Sequence, residues 1–227
     1  MPIYWLSDEI GFPDPHLTGQ EGIFAVGGDL SAKRLLLAYK IGAFPWFNPE
    51  DPILWWCPDP RFVVFPNEIK VSKSMRPYFN QQKFKVTFDQ NFEAVINGCQ
   101  KTFRPGQGGE TWLTEVMKDA YTELHNLGLC HSVEVWQGDE IVAGLYGISL
   151  GKCFFGESMF STVNNASKFG FITLVRLLEK KGFWLIDCQQ GTDHLISMGA
   201  RGIPREEFLE FMEKNSHEKT LRGDWNE

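Results

Sequence analysis

The chain has 227 residues, enough for one large domain or two modest ones with a substantial buried core. Hydrophobic residues make up 43% and charged residues 22%, which is ordinary for globular proteins and argues against disorder. The formal net charge of −7 argues against nucleic-acid binding along most of the surface, so any phosphate contact needs a local basic patch.

The five cysteines are widely spaced, odd in number and never in a C-x-x-C pair. This pattern predicts neither a zinc site nor a disulfide framework, and it fits a reducing compartment. Residues 1–6 lack the basic and apolar regions of a signal peptide, and no run of about 18 uncharged apolar residues occurs. We therefore expect a cytoplasmic protein that makes no membrane contact.

The first 62 residues are rich in Pro, Gly and Trp. A helix is predicted between the candidate caps Asp29 and Ser31 and the terminating Gly42. Two short strands are predicted over residues 53–56 and 61–65, around a turn with two prolines. We expect residues 1–62 to form a small N-terminal α/β domain.

The pattern is more regular beyond residue 84. Predicted strands cover residues 84–88, 131–136, 141–149, 153–160 and 183–188, and predicted helices cover residues 92–99, 115–126, 166–180, 193–198 and 205–215. An antiparallel meander, a helix, a buried strand and a further helix follow one another as in acetyltransferase (GNAT) domains. The prediction for residues 63–227 is an α+β, GNAT-like acyltransferase domain with a mixed central sheet.

Polar residues that end apolar strands are the first candidates for chemistry. Asp187 and Gln189 follow Leu185 and Ile186, and they share one face if the strand continues. A carboxylate and an amide there can act as base and hydrogen-bond donor, or the Asp can simply cap the next turn. Glu157 lies among apolar residues, so it is exposed, hydrogen-bonded within the fold, or in contact with a substrate.

Two further groups have both a structural and a functional interpretation. Trp46 and Trp112 lie in loop-like settings, where an indole ring packs on the core or stacks on a nucleobase. Five basic residues cluster between positions 70 and 85, namely Lys70, Lys73, Arg76, Lys83 and Lys85. They form either a solvated face or a phosphate-binding patch. The histidines lack metal-binding spacing, so we expect no metal and no cofactor.

The glycine-rich stretch at residues 106–109 lies between two predicted helices. An acyl-CoA-dependent acetyltransferase needs such a loop between a strand and a helix N-terminus, to hold pyrophosphate. The misplaced loop indicates a different acyl donor.

Eight ordered stretches together resemble one family, the bacterial leucyl/phenylalanyl-tRNA–protein transferases. The resemblance extends from about residue 8 to residue 213, and the stretches are AVGGDLS (25–31), GAFPWF (42–47), PILWW (52–56), PDPR (58–61), HSVEVW (131–136), GESMFS (156–161), ASK (166–168) and LIDCQ (185–189). The resemblance implies transfer of Leu or Phe, sometimes Met, from aminoacyl-tRNA to proteins with N-terminal Arg or Lys. It also implies that the product is marked for degradation in the N-degron pathway.

The resemblance also implies roles for individual residues. Asp187 and Gln189 match the catalytic pair, with Glu157 as an active-site carboxylate, and Asp187 is expected to orient and help deprotonate the amine. Trp46 and Trp112 match the aromatics that hold the terminal adenosine. The implied aminoacyl pocket comprises Leu145, Phe154, Leu174 and Ile186, with Leu145 in place of a familiar Met and Leu174 in place of Phe. The implied tRNA phosphate patch comprises Lys73, Arg76 and Lys83.

We expect the enzyme to be a monomer that needs neither ATP nor a cofactor. Two alternatives stay open at this point. One is an acyl-CoA-dependent N-acetyltransferase, and the other is a non-catalytic module that binds aminoacyl-tRNA through the same tryptophans.

Overall fold

The computed structural model describes residues 3–19, 21–102 and 112–225. The strands are β1 (Tyr4–Leu6), β2 (Ile23–Gly27), β3 (Phe44–Pro45), β4 (Leu54–Trp56), β5 (Arg61–Val64), β6 (Lys85–Phe88), β7 (Cys130–Gln137), β8 (Glu140–Leu150), β9 (Cys153–Ser161), β10 (Leu185–Gln189) and β11 (Arg201–Ile203). The helices are α1 (Ala32–Lys40), α2 (Arg76–Asn80), α3 (Phe92–Gln100), α4 (Glu115–Asn126), α5 (Ala166–Lys180), α6 (Asp193–Ile196) and α7 (Arg205–Asn215). Within these ranges, no helix is long and apolar enough to cross a bilayer.

The N-terminal region contains a small sheet with the strand order β1-β2-β4-β3. Helix α1 begins after Ser31, whose side-chain oxygen accepts a hydrogen bond from the backbone N–H of Arg34. It ends before Gly42, which has a φ of +87° that a residue with a side chain rarely adopts. The helix therefore lies where its capping residues predict it.

The larger sheet has the strand order β11-β5-β10-β9-β8-β7-β6. Strand β10 is parallel to β9 and antiparallel to β5, and the meander β7-β8-β9 is antiparallel. The sheet is therefore mixed. Strand β10 lies near its centre, with β5 on one side and β9 on the other, so groups from three chain segments meet there.

Both faces of this sheet are covered. Tyr146 and Ile148 of β8 belong to a core shared with α1, α3, α4 and α7, whereas Leu145 and Ala143 belong to a core shared with α5. Successive side chains of a strand point to opposite faces, so one strand supplies both cores. The first core also includes Trp55 from the N-terminal region, and this packing holds that region against the larger sheet.

The α+β class and the mixed sheet are confirmed. The sequence did not predict α2, β11 or the short strands β1 to β3, each of only two to five residues. The predicted division after residue 62 stays a prediction; strand β5 spans that position and pairs with the larger sheet.

The C-terminal segment folds back over the start of the meander. The Trp225 ring stacks on His131, with 3.8 Å between ring centroids, and only 4% of Trp225 is exposed. Asp89 accepts hydrogen bonds from the Trp225 backbone N–H at 2.9 Å and pairs with His131 Nδ1 at 2.8 Å. The segment that ends at Trp225 is therefore part of the packed fold.

Candidate active site

A cavity of about 500 Å³ opens where the N-terminal region meets strands β9 and β10. This volume is in the range of ligand-binding cavities. Helix α5 and the segment around α6 complete its walls. The residues that line it include Trp46, Trp112, Leu145, Phe154, Glu157, Ile186, Asp187, Gln189 and His194.

Asp187 lines this cavity and is paired with Arg61 of the neighbouring strand. Its carboxylate accepts two hydrogen bonds from the guanidinium, from Nε at 2.7 Å and from Nη2 at 2.6 Å. Both side chains are fully buried. The guanidinium lies between the rings of Phe44 and Phe208, 4.7 and 4.5 Å from their centroids. A bidentate pair sandwiched in this way is rigid and charge-assisted.

Gln189 reaches the cavity through an irregularity in strand β10. The register of pairing with β5 shifts between Asp187 and Gln189, and Gln189 has a φ of +61°. Its backbone N–H donates to Asp187 Oδ1 at 2.9 Å. The regular continuation of the strand, on which the prediction of one shared face depended, is therefore absent between Asp187 and Gln189, but both residues line the same cavity. The Asp187 carboxylate holds the turn from a fully buried position behind the cavity wall.

Glu157 is the second carboxylate of the cavity and is linked to Gln189. Its Oε1 accepts from Gln189 Nε2 at 3.0 Å, and its Oε2 accepts from the Tyr121 hydroxyl at 2.8 Å. The Tyr121 hydroxyl is also 2.8 Å from that of Tyr39. Burial raises the pKa of Glu157 to about 7; Asp187 adds to this, while the two tyrosine hydroxyls and Arg61 act against it. Glu157 can therefore gain or lose a proton near neutral pH.

The two predicted stacking residues lie in the cavity wall. Trp46 and Trp112 are both partly buried and pack against the first core. Trp46 is braced by Trp56, whose ring lies 5.4 Å away and whose indole N–H donates to the Trp46 carbonyl at 2.6 Å. The two rings therefore both pack on the core and present surface to the cavity.

Three of the four predicted pocket residues line the cavity, namely Leu145, Phe154 and Ile186. Leu174 is fully buried in the same core but is not among the lining residues. The apolar wall also includes Met159, Phe160, Phe171 and Leu195, which were not among the predicted pocket residues.

The predicted phosphate patch lies outside the cavity. Lys73, Arg76 and Lys83 are exposed, on α2 and the segments beside it. Lys83 Nζ lies 4.7 Å from the centre of the Tyr78 ring. The exposure of these three side chains allows them to contact a ligand that extends beyond the cavity.

Sequence reasoning missed several groups of this site. Arg61 lies in the PDPR stretch (58–61), which predicted no role for it, and its partner Asp187 lies 126 positions away. Tyr39 and Tyr121 lie on amphipathic helices, where their pattern is that of ordinary core residues. His194 lines the cavity, and its Nε2 is buried with no hydrogen-bond partner among the described residues. Burial and Lys168 lower the pKa of His194.

The glycine-rich stretch at residues 106–109 lies outside the described residues. In the part of the chain that the structure describes, no three His, Cys, Asp or Glu side chains are grouped to hold a metal ion. The cavity thus combines an apolar wall, two indole rings and a network of two carboxylates and an amide.

Comparison with known proteins defines the class. The family described as "Leucyl/phenylalanyl-tRNA protein transferase" matches residues 63–213, and the N-terminal domain of the same family matches residues 28–59. A leucyl/phenylalanyl-tRNA–protein transferase of Syntrophus aciditrophicus is 54% identical over 226 residues, covering 100% of this chain and 94% of that protein. The protein of the same name from Desulforapulum autotrophicum is 50% identical over 99% of this chain and 98% of its own length. One from Flavobacterium johnsoniae is 52% identical over 92% of this chain and 99% of its own length.

These matches establish that the protein is an enzyme of the aminoacyltransferase class. Within that class, the chain belongs to the leucyl/phenylalanyl-tRNA–protein transferase family.

Proposed function

We propose that this enzyme transfers Leu or Phe, and less efficiently Met, from aminoacyl-tRNA to the α-amine of proteins that begin with Arg or Lys. The new N-terminal residue marks the protein for degradation in the N-degron pathway. The single observation that carries the proposal is that an apolar wall, two tryptophans and the Glu157–Gln189–Asp187 network face one cavity. The names of the relatives support the donor and the protein acceptor.

The reaction is aminolysis of an ester. The amine nitrogen forms a bond with the aminoacyl carbonyl carbon, the bond from that carbon to the ribose oxygen breaks, and the amine proton ends on the leaving oxygen. The reference pKa of an α-amine is about 7.7–8.0, so a neutral fraction exists at neutral pH. The enzyme therefore supplies alignment and proton transfer, and the reaction needs neither ATP nor a metal.

We assign the catalytic roles to Asp187, Gln189 and Glu157. Asp187 and Gln189 orient the incoming amine at the end of β10, and the Gln189 amide stabilises the tetrahedral oxyanion or the leaving oxygen. Glu157 is negatively charged when it has lost its proton, so it also suits a cationic acceptor. Hydrogen bonds among the three residues hold them in one arrangement.

The donor is proposed to bind through its adenosine and its side chain. Trp46 and Trp112 stack on the terminal adenosine, and the apolar pocket of Leu145, Phe154, Leu174 and Ile186 takes the aminoacyl side chain. Leu174 would act from behind the lining residues. One methylene is worth about 1–3 kcal/mol in such a pocket, so some use of Met is expected.

The rest of the tRNA is proposed to contact Lys73, Arg76 and Lys83. Contacts to phosphates carry no sequence information, so different tRNA bodies with the same amino acid should bind alike. About three or four neutralised phosphates would give a shallow salt dependence. We further propose that the enzyme acts as a monomer in the cytoplasm, where its donor and acceptors meet.

The proposal is tested by incubating the enzyme with labelled Phe-tRNA and a peptide that begins with Arg. The matched control is the same peptide with an acetylated α-amine. The expected result is label in the first peptide alone. Hydrolysis of the ester without labelled peptide, or binding with the ester intact, would overturn the proposal, and saturable binding of acetyl-CoA would favour an acetyltransferase.

A further inference from the structure

The two carboxylates of the cavity have opposite surroundings. Asp187 Oδ1 accepts from Arg61 Nε and from the Gln189 backbone N–H, and Asp187 Oδ2 accepts from Arg61 Nη2. A carboxylate offers about four acceptor positions, so three are already filled. The Arg61 guanidinium is fully buried and has Asp187 as its counter-charge, so the carboxylate is held in this ion pair. The acceptor positions of Asp187 are therefore largely occupied by contacts within the fold.

Glu157 has neutral hydrogen-bond partners instead. They are the Tyr121 hydroxyl, itself hydrogen-bonded to the Tyr39 hydroxyl, and the Gln189 amide. Protonation of Glu157 therefore breaks no direct ion pair. Glu157 is also part of the cavity wall, so a substrate amine can approach it.

The contacts connect Arg61 to Glu157 in three steps. Arg61 fixes the Asp187 carboxylate through its planar fork. Asp187 in turn holds the Gln189 backbone in its left-handed conformation. The Gln189 side chain then reaches Glu157 Oε1. A displacement of Arg61 is thus passed to Glu157 without any contact between Arg61 and a substrate.

We propose that Glu157 is the proton acceptor of the transfer and that Arg61 is a positioning residue, which acts on Glu157 through Asp187 and Gln189. This inference rests on the proposed function and assigns to Glu157 the role that the sequence suggests for Asp187. As the amine nitrogen bonds to the carbonyl carbon, one amine proton passes to the Glu157 carboxylate. When the bond to the ribose oxygen breaks, that proton passes on to the leaving oxygen, and Glu157 is regenerated.

The protonation of Glu157 responds to charged and titratable groups on several elements. The groups that influence it are Tyr39 on α1, Arg61 on β5, Tyr121 on α4, Cys130 on β7, Tyr146 on β8 and Asp187 on β10. Burial raises the pKa of each of the three tyrosines, and of Cys130, well above its ordinary value, so these four groups stay neutral at neutral pH. Glu157, with a pKa of about 7, titrates in the neutral range beside these four neutral groups.

The first test compares Glu157→Gln with Glu123→Gln, the same change at an exposed position of α4. Turnover is measured from pH 5.5 to 9 with saturating Phe-tRNA and an Arg peptide. General-base catalysis typically accounts for about 10²–10⁴-fold in rate, so kcat of Glu157→Gln should fall by that factor while binding of Phe-tRNA is retained. The acceptor amine titrates in both variants, so its contribution to the pH–rate profile is the same in both. A limb of the profile near pH 7 that is present in Glu123→Gln and absent in Glu157→Gln therefore reports the titration of Glu157.

The second test uses Arg61→Lys, which keeps the charge but loses the bidentate fork. Misplacement of the network should lower kcat by about 10–10²-fold with little change in the KM for Phe-tRNA. Loss of the Gln189 hydrogen bond should also shift the acid limb to higher pH, because that bond favours the ionised Glu157. If Arg61 has only a structural role, Arg61→Lys should lower the amount of folded enzyme and leave the acid limb of the pH–rate profile at the same pH.

The outcomes separate this inference from the proposed function. If the wild type is active and Glu157→Gln has the same kcat and the same pH–rate profile as the wild type, Glu157 is refuted as the proton acceptor. If Arg61→Lys folds and the acid limb of its pH–rate profile is not shifted, the positioning role of Arg61 is refuted. If that variant does not fold, the double variant Arg61→Met with Asp187→Leu, which removes both charges, takes its place. An unchanged kcat in the double variant then refutes the positioning role of Arg61. A wild type that does not label the peptide would overturn both proposals.

Discussion

The buried pair of Arg61 and Asp187 gives a stability prediction whose size follows from its surroundings. The guanidinium nitrogens of Arg61 lie 2.7 and 2.6 Å from the carboxylate oxygens of Asp187, and Asp187→Asn leaves this guanidinium buried without its counter-charge. Breaking a buried pair by removing one partner costs about 3–5 kcal/mol. In a protein of 150–250 residues, about 1 kcal/mol corresponds to 2–4 °C in Tm, so Tm should fall by about 6–20 °C.

Replacing both partners should be far less costly. Arg61→Met together with Asp187→Leu removes both charges, and apolar replacement of a buried pair is often nearly neutral. The coupling between the two sites should therefore be about 3 kcal/mol or more in a double-mutant cycle measured by urea unfolding.

The exposed pair of Arg201 and Glu68 is the matched control. Its closest atoms are 3.2 Å apart and both side chains are about half exposed, so it should be worth about 0–1 kcal/mol. A cost for Asp187→Asn no larger than that for Glu68→Gln would refute the assignment of a tightly coupled buried pair.

Three further predictions concern the site and the C-terminal segment. Trp46→Ala should raise the KM for aminoacyl-tRNA by about 5–150-fold in steady-state assays, because one base–aromatic stack is worth about 1–3 kcal/mol, and an unchanged KM would contradict adenosine stacking. Because burial raises the pKa of Glu157 from 4.5 to about 7, the folded protein keeps this proton where the unfolded chain has lost it. That contribution to stability is full below about pH 4.5 and is lost as the pH rises through 7. The free energy of urea unfolding of Glu157→Gln should therefore depend less on pH in this window than that of the wild type. Equal slopes of this free energy against pH in the two proteins would contradict the raised pKa. Trp225→Ala should lower stability by about 3–5 kcal/mol in the same unfolding assay, because the ring is almost fully buried against His131, and a loss below 1 kcal/mol would contradict that packing.

The elements with clear local signals could be predicted from the sequence. Helices α4 and α5 begin and end where the sequence indicates, because glycines with positive φ terminate them at Gly128 and Gly182. The strands of the meander differ from the prediction by one residue at most at each end, since glycine turns separate them. Local patterns are therefore sufficient where caps and turns lie next to the element.

The missed elements lack such signals. Strands β1 and β11 have three residues each and exist because a neighbouring strand supplies hydrogen bonds. Three residues are too few to show an alternating pattern.

The contacts of the site could be predicted only in part. The sequence places Asp187 and Gln189 at the end of a buried strand, and both do line the cavity. Their partners Arg61 and Glu157 come from other strands, and pairing between distant segments leaves no local pattern. The contact of Asp187 with the Gln189 backbone N–H is local, and the sequence offered such a turn cap as one interpretation, but it did not predict the left-handed φ of Gln189.

The most direct measurement of the central claim is a time course that follows both substrates in one reaction. Phe-tRNA and an Arg-initiated protein are incubated with the enzyme, and loss of the ester and the mass of the protein's N-terminal peptide are recorded together. We expect one Phe residue to be added at the α-amine for each ester lost, in step throughout the reaction. Ester loss with no gain in mass, or a gain at a lysine side chain, would contradict it.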